Sequence, residues 1–287
     1  KQLSQAYLKI RNTCRYILGN LDGFDPNSPV PYEQLPELDR WALMRLNQLT
    51  EKVLAAYENF EYHIVFHAIH NFCVVDMSNF YLDVIKDRLY CEGKGSLSLR
   101  SAQTTIYIIL DSMVRMLTPI LAFTSDEVWK AMPHSAGDDP RHAVFNSMAK
   151  PNPQYRFDAA AAEKWDKIIL LRDGVNRVLE EARAEKKIGK PLEAKVILSC
   201  TKDALDFVRS VEAELPSLFI VSQVRAVEGT EGAPCEGIDG VFAKAEPADG
   251  QKCPRCWNYS ETVGHDHDHP ELCERCARVV REYYPDL

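Results

Sequence analysis

The sequence has no long apolar run. Nothing in it approaches the roughly 18 consecutive apolar residues of a membrane span, and 26% of its 287 residues are charged. It lacks the N-terminal basic stretch and following apolar segment of a secretory signal. It also lacks any excess of positive charge: 34 Lys and Arg face 42 Asp and Glu, for a net charge of −8. Wholesale, non-specific neutralisation of nucleic-acid phosphates is therefore excluded. A structured RNA met by a local basic surface is not. There is no Gly-rich phosphate loop, no Ser-His-Asp arrangement and no acid–base pair of carboxylates. Internal repeats and low-complexity tracts are absent. The first residue is Lys1 rather than Met, and it falls inside a helical pattern, so the sequence is expected to belong to a longer one.

What is present reads first as a bundle of helices. Leu3, Tyr7, Ile10, Cys14, Ile17, Leu18 and Leu21 recur at spacings of three and four, which makes one apolar stripe. The Asp22-Gly23 and Asp25-Pro26 steps end it, and Asn27 to Pro36 reads as a proline-rich connector. A second helix carries Leu38, Trp41, Ala42, Leu46, Leu49, Val53 and Tyr57 on one face. A third is expected over 61–90 and a fourth over 97–117, with a shorter turn from Pro119 to Trp129. Trp41, Trp129 and Trp165 lie on apolar helical faces and read as core. Between Met132 and Phe157 periodicity gives way to Gly, Pro, Asp and Asn, which reads as a linker. A long charged helix over 159–187 follows. The period then switches to that of strands at 195–198, 218–227 and 241–245, with a helix over 204–214 between the first two. The expected architecture is mainly α: an antiparallel bundle (1–131), the linker (132–157), the long helix with a small α/β region (158–250) and a C-terminal module (251–287).

That module holds the strongest chemical signal. Of nine cysteines, Cys14, Cys73, Cys91, Cys200 and Cys235 are scattered, as buried thiols in a reducing compartment would be. The other four form Cys253-Pro-Arg-Cys256 and Cys273-Glu-Arg-Cys276. Two residues between thiolates let one tight turn aim both sulfurs at one ion, and two such turns complete a tetrahedron. That suits a single structural Zn2+ with no open position. Metal and local fold then form together. Two disulfides or two redox CxxC pairs are the competing reading; a thioredoxin-like motif would open a helix after a strand in a larger βαβ fold, which thirty-odd residues at a chain end do not offer. His265, His267 and His269 alternate with Asp266 and Asp268 between the pairs. They read as a solvated loop, with ligand substitution or a second metal as the alternative.

These residues carry a family likeness. KCPRCWNYSETVGHDHDHPELCERC (Lys252 to Cys276) closely resembles the C-terminal zinc module of bacterial isoleucyl-tRNA synthetases. RNTCRYILGNLDGFDP (from Arg11) and LDRWALMRL (from Leu38) resemble the opening helices of that family's anticodon-binding bundle. FYLDVIKDRLYC (from Phe80), LTPILAFTSDEVW (from Leu117) and RAEKKIGKPLEAKV (from Arg183) resemble its later parts, in the right order along nearly the whole chain. The family's HxGH-type and KMSKS-type signatures and its editing insertion are missing, and the HxxH run His67-Ala-Ile-His70, in mid-helix, fits neither signature.

The resemblance implies recognition of the anticodon arm of isoleucine tRNA in a cytoplasmic, monomeric enzyme. ATP and isoleucine would bind catalytic and editing domains not included here, no membrane would be involved, and this chain alone would be inactive. Valyl or leucyl relatives, which end differently, a free-standing RNA-binding protein and a zinc module for protein interaction are the alternatives.

RNA contact calls for Arg or Lys against phosphate and for aromatic or guanidinium planes against splayed bases. Arg255 and Trp257 flank a zinc ligand and are pre-aimed, which makes them the leading anticodon candidates; a small apolar core over the zinc is the competing reading of Trp257. Arg275, between two ligands, ranks behind them. Arg11 and Arg15, one turn apart, could track phosphates or form ion pairs within the bundle. Lys186, Lys187 and Lys190 could be a phosphate patch or serve solubility. Lys86 and Arg88 alternate with Asp87 and read as a solvated or ion-paired face.

Overall fold

A computed structural model of the chain describes residues 2–285, and Lys1 lies outside the described residues. The chain divides into two compact units, Lys1–Phe157 and Asp158–Leu287.

The first unit is helical. α1 (Gln2–Leu18) and α2 (Glu37–Glu58) follow the apolar stripes of the sequence, and Ile10, Ile17, Leu43 and Val53 are fully buried. The long helix expected over 61–90 is present but changes its winding and is interrupted at Ile85. α3 (Tyr62–Asn71) passes into a π-helical stretch (Phe72–Tyr81), followed by α4 (Leu82–Val84) and α5 (Lys86–Cys91). Within the stretch Phe72 and Cys73, Asp76 and Met77, Phe80 and Tyr81 are buried in pairs that recur every four residues. A four-residue recurrence lies between the 3.6 residues of an α turn and the wider turn of a π-helix. α6 (Leu97–Leu117) is capped by Ser96, whose Oγ accepts from Leu99 N at 3.2 Å, and α7 (Ala122–Ala131) closes the bundle. Trp41 and Trp129 are core, as their helical faces suggested.

The segment 132–157 is not a linker between units; it is a packed part of the first. Met132, Ala143 and Ala149 are buried. Trp129 Nε1 donates to Asp139 O at 3.0 Å, Arg115 pairs with Asp138 at 2.7 Å, and Asn152 N donates to Asn47 Oδ1 at 2.7 Å. Gly, Pro, Asp and Asn made its backbone irregular, while bundle side chains satisfy its polar groups and hold it in place.

In the second unit α8 (Ala159–Ala184) starts at Asp158, whose Oδ1 accepts from Ala161 N at 2.8 Å. It packs against a four-stranded sheet of order β2-β1-β4-β3. The strands are β1 (Ala194–Cys200), β2 (Gln223–Glu228), β3 (Ala233–Pro234) and β4 (Val241–Pro247). β1 and β2 run parallel, with Val196 opposite Val224, and α9 (Lys202–Val211) and α10 (Leu215–Phe219) make the crossover. β4 returns antiparallel to β1, with Leu198 opposite Ala243. Residues 218–222, expected in a strand, instead end α10 and turn. Pro216 starts that short helix favourably, Val221 N closes on Pro216 O at 3.0 Å, and the strand begins only at Gln223. The C-terminal module holds a short hairpin, β5 (Gln251–Lys252) with β6 (Tyr259–Ser260), and α11 (Glu274–Tyr283). Tyr259 N donates to Ser222 Oγ at 2.7 Å, which ties the hairpin to the sheet unit.

Gly174 sits in the buried face of α8. A Cβ there would lie 2.7 Å from Cys235 Sγ and 3.1 Å from Cys235 Cα. Gly174→Ala gains about 1 kcal/mol in helix propensity, but overpacking of a core costs roughly 1–3 kcal/mol. A lowered denaturant midpoint for the second unit is expected, restored in part by Cys235→Ala.

Candidate zinc centre and nucleic-acid interface

The two CxxC turns meet as their spacing requires. Cys253, Cys256, Cys273 and Cys276 are buried, and their sulfurs all lie within 4.8 Å of one another. Cys256 Sγ and Cys273 Sγ are 3.8 Å apart. Four sulfurs at about 2.3 Å from one tetrahedral zinc stand about 3.8 Å apart, so the cluster has the dimensions of a ligand shell. None of the four is in a disulfide. Cys273 N donates to Cys253 Sγ at 3.5 Å and Arg255 Nη1 to Cys276 Sγ at 3.7 Å, which supports negative sulfur. Without a cation the cluster cannot ionise fully. Hydrogen bonds from Cys273 and Cys276 hold the Cys256 thiol far below its ordinary range, and that bond to Cys256 pushes Cys276 far above it. A dication removes this conflict, so the donor set fits Zn2+. The cluster is the one group of three or more metal-capable side chains that converges among the described residues. His265, His267 and His269 do not assemble a second site. Their loop is shaped by Asp266, which accepts from the backbone N–H groups of Asp268 and His269 at 3.1 Å each and pairs with Arg281.

Trp257 follows the second ligand and is 55% exposed, so it is not a lid on the zinc. Its N–H closes the knuckle on Cys253 O at 2.8 Å, and its φ is +66°. A left-handed conformation costs a non-glycine residue roughly 1–2 kcal/mol, so the fold holds an indole where glycine would be relaxed. Lys190 Nζ and Lys252 Nζ stand 5.6 and 5.5 Å from the ring centroid. Their ammonium groups make the indole a cationic platform. Lys252 was not singled out from the sequence, although its place directly before the first ligand was a usable signal.

The remaining candidates divide. Lys186 and Lys187 are exposed just after α8. Lys186, at φ +59°, takes the helix-terminating position that glycine usually fills: its N–H bonds Arg183 O at 3.0 Å, and Lys187 N bonds Ala182 O at 2.9 Å. Lys187 pairs with Glu185 at 2.6 Å, an exposed contact of little energetic weight. Arg255 is half-buried, with its guanidinium over the cluster and 5.9 Å from the Tyr284 ring, which gives it a structural task at the sulfurs. Arg275 is half-buried. Arg11 and Arg15 are exposed on α1 in the first unit and form no ion pair among the described residues. Arg88, by contrast, turns inward: it is held at 2.7 Å by the fully buried Asp39 of α2 rather than lying on a solvated face.

Fold and site together define a helical bundle joined to an α/β unit that carries one tetrathiolate centre, a scaffold for binding. Residues 39–198 match the family described as the anticodon-binding domain of tRNA ligase, and residues 250–279 match the zinc finger found in FPG and IleRS. The chain is 49% identical to the isoleucine–tRNA ligase of Desulforamulus reducens over 289 residues, covering 99% of this chain and 31% of that protein. Isoleucine–tRNA ligases of Syntrophotalea carbinolica (47%) and Desulforudis audaxviator (46%) match over 98% of this chain and 30% of each of theirs. The chain belongs to the family of tRNA-ligase anticodon-binding domains. It spans about 31% of the length of the curated relatives it matches. With the zinc-finger match, the four-cysteine shell is that of one structural zinc. No helix among the described residues is long and apolar enough to cross a membrane.

Proposed function

We propose that the chain reads the anticodon arm of isoleucine tRNA on behalf of an isoleucine–tRNA ligase, a monomer acting in the cytoplasm. ATP-dependent attachment of isoleucine takes place on residues outside this chain. What this chain contributes is remote binding energy and orientation, which position the acceptor end for reaction. The observation that carries the reading is Trp257: exposed, held at positive φ beside a zinc ligand, and flanked by Lys190 and Lys252. An unpaired anticodon base stacks on the indole while the lysines meet the adjoining phosphates. Lys186 and Lys187 extend the phosphate contact, and Arg11 and Arg15 supply one on the first unit. Arg255 and Arg275 hold the knuckle in shape beside the base.

The test is titration with isoleucine tRNA and with a non-cognate tRNA at fixed low salt. Loss of base stacking costs about 1–3 kcal/mol, so Trp257→Ala should weaken cognate binding about tenfold or more and narrow the cognate preference. Equal, weak and strongly salt-dependent binding of both tRNAs by the unmodified chain would show that it holds phosphate alone.

A further inference from the structure

Three segments of the second unit meet at Ser222. One is the loop between α8 and β1, which carries Lys190 and runs on through Leu192 and Glu193. Another is the hairpin of β5 and β6, which carries Trp257 and pairs Lys252 with Tyr259. Ser222 itself belongs to the third, the turn between α10 and β2. It is fixed there, because its N–H bonds Ala194 O at 3.2 Å at the start of β1. Its hydroxyl is used in both directions: it donates to Leu192 O at 2.5 Å and accepts from Tyr259 N at 2.7 Å. Leu192 follows Lys190 by two residues, and Tyr259 follows Trp257 by two. One hydroxyl thus joins the backbone that carries Lys190 to the backbone that carries the indole, and Lys190 Nζ stands 5.6 Å from the ring centroid.

The next residue clamps the connection from the sheet to the hairpin. Gln223 Nε2 donates to Asp249 O at 3.1 Å, and Gln223 Oε1 accepts from Asp249 N at 2.9 Å. Lys195 Nζ holds the Asp249 carboxylate at 2.8 Å, and Ala248 N bonds Glu193 O at 2.8 Å. Gly250, at φ +84°, then passes so close to β6 that a Cβ would stand 2.3 Å from Ser260 C. Zinc cannot supply this anchoring. All four sulfurs lie within the module, so the metal shapes the knuckle without orienting it against the sheet. We propose that Ser222 is a positioning residue: it sets the zinc module against the sheet so that Trp257 lies beside Lys190, and a base and its phosphate are met together. The consequence for RNA rests on the anticodon reading above; the consequence for geometry rests on the hydrogen bonds alone. A hydroxyl suits the place because one short group must serve a carbonyl and an N–H at once, and alanine would leave both unpaired.

The test uses the zinc-loaded chain. Ser222→Ala should keep one zinc per chain, since its ligands are untouched. Nuclear Overhauser contacts between the Trp257 ring and the Lys190 side chain should be lost, while those to Lys252, on the same hairpin, persist. The Tyr259 amide should exchange faster with solvent. Isoleucine tRNA should bind Ser222→Ala about fivefold more weakly, and Ser222→Thr, which keeps the hydroxyl, as well as the unmodified protein. In the Trp257→Ala background Ser222→Ala should cost nothing further. Loss of zinc from Ser222→Ala, or Trp257–Lys190 contacts that persist in it, would overturn the proposal. If the contacts are lost and tRNA binding is unchanged while Trp257→Ala weakens it, the positioning role is overturned and the anticodon reading stands. If the contacts are lost and Trp257→Ala leaves tRNA binding unchanged, the anticodon reading falls and Ser222 keeps its geometric role.

Discussion

Cys273→Ser should release the zinc and unfold the C-terminal module while leaving the bundle helical. The serine hydroxyl is not a thiolate, and three sulfurs cannot close the shell that Cys253, Cys256 and Cys276 begin. Little else holds the module. Its strands β5 and β6 are two residues each, and its buried apolar side chains beyond the ligands are, among the described residues, Leu272, Ala277 and Val279. Burying each such side chain is worth at most roughly 1.5–3 kcal/mol, whereas zinc binding in comparable small modules contributes about 10–16 kcal/mol. The hydrogen bond from Tyr259 N to Ser222 Oγ cannot replace that. Elemental analysis should therefore find less than one zinc per chain, with far-UV ellipticity nearly unchanged because α1, α2 and α6 lie in the other unit. Proteolysis should begin to cut after Gly250. Because Trp257 is aimed by the knuckle, tRNA binding should fall at least as far as in Trp257→Ala. One zinc per mutant chain would sink this account.

The zinc shell was legible because it is written in short spacing: each CxxC turn is local, and only the meeting of the two turns is not. The helices were legible for the same reason, since α2 and α6 carry their stripes at 3.6-residue period and end near the expected residues. What could not be read depended on partners distant in sequence. Phe72 to Tyr81 looks like ordinary helix until the four-residue recurrence of its buried pairs meets the rest of the bundle. Leu218, Phe219 and Val221 are apolar enough for a strand, yet Pro216 and the left-handed Ile220 turn them into the end of a helix. The run from Met132 to Phe157 has the composition of a linker, and only Arg115, Trp129 and Asn47 reveal it as a cover. At the candidate site the sequence supplied Trp257 and Lys190 separately. Their approach to 5.6 Å, and the arrival of Lys252 beside them, come from the packing of the knuckle within its unit. Gly174 and its 2.7 Å limit on any side chain belong with these: nothing near it in sequence mentions Cys235.

Asp39→Asn should destabilise the first unit more than any surface change in it. Asp39 is fully buried in the first turn of α2, where a negative charge also suits the helix N-terminus. Its Oδ1 accepts from Tyr81 Oη at 2.7 Å and from Arg88 Nη1 at 2.8 Å, and its Oδ2 accepts from Arg88 Nη2 at 2.7 Å. Arg88 Nη2 also reaches Ser98 O at 2.9 Å. One carboxylate thereby joins α2, the end of the π stretch, α5 and α6. Burial pushes the Tyr81 hydroxyl well above its ordinary range, with the Asp39 charge adding to it, so the tyrosine stays a donor. An asparagine of the same shape would keep one acceptor, turn an amide toward Arg88 Nη2 and leave the guanidinium charge buried without its counter-ion. Breaking a buried pair in this way costs about 3–5 kcal/mol. For a unit of this size that lowers Tm by on the order of 10 °C, measured as the melting of helical ellipticity. Replacing both partners, as in Asp39→Leu/Arg88→Met, removes the stranded charge and should cost less than the single change. That ordering separates a stranded charge from mere loss of contact. If the double variant is the less stable of the two, the pair contributes through its bonds to Tyr81 and Ser98, and the four elements are held together by hydrogen bonding rather than by charge.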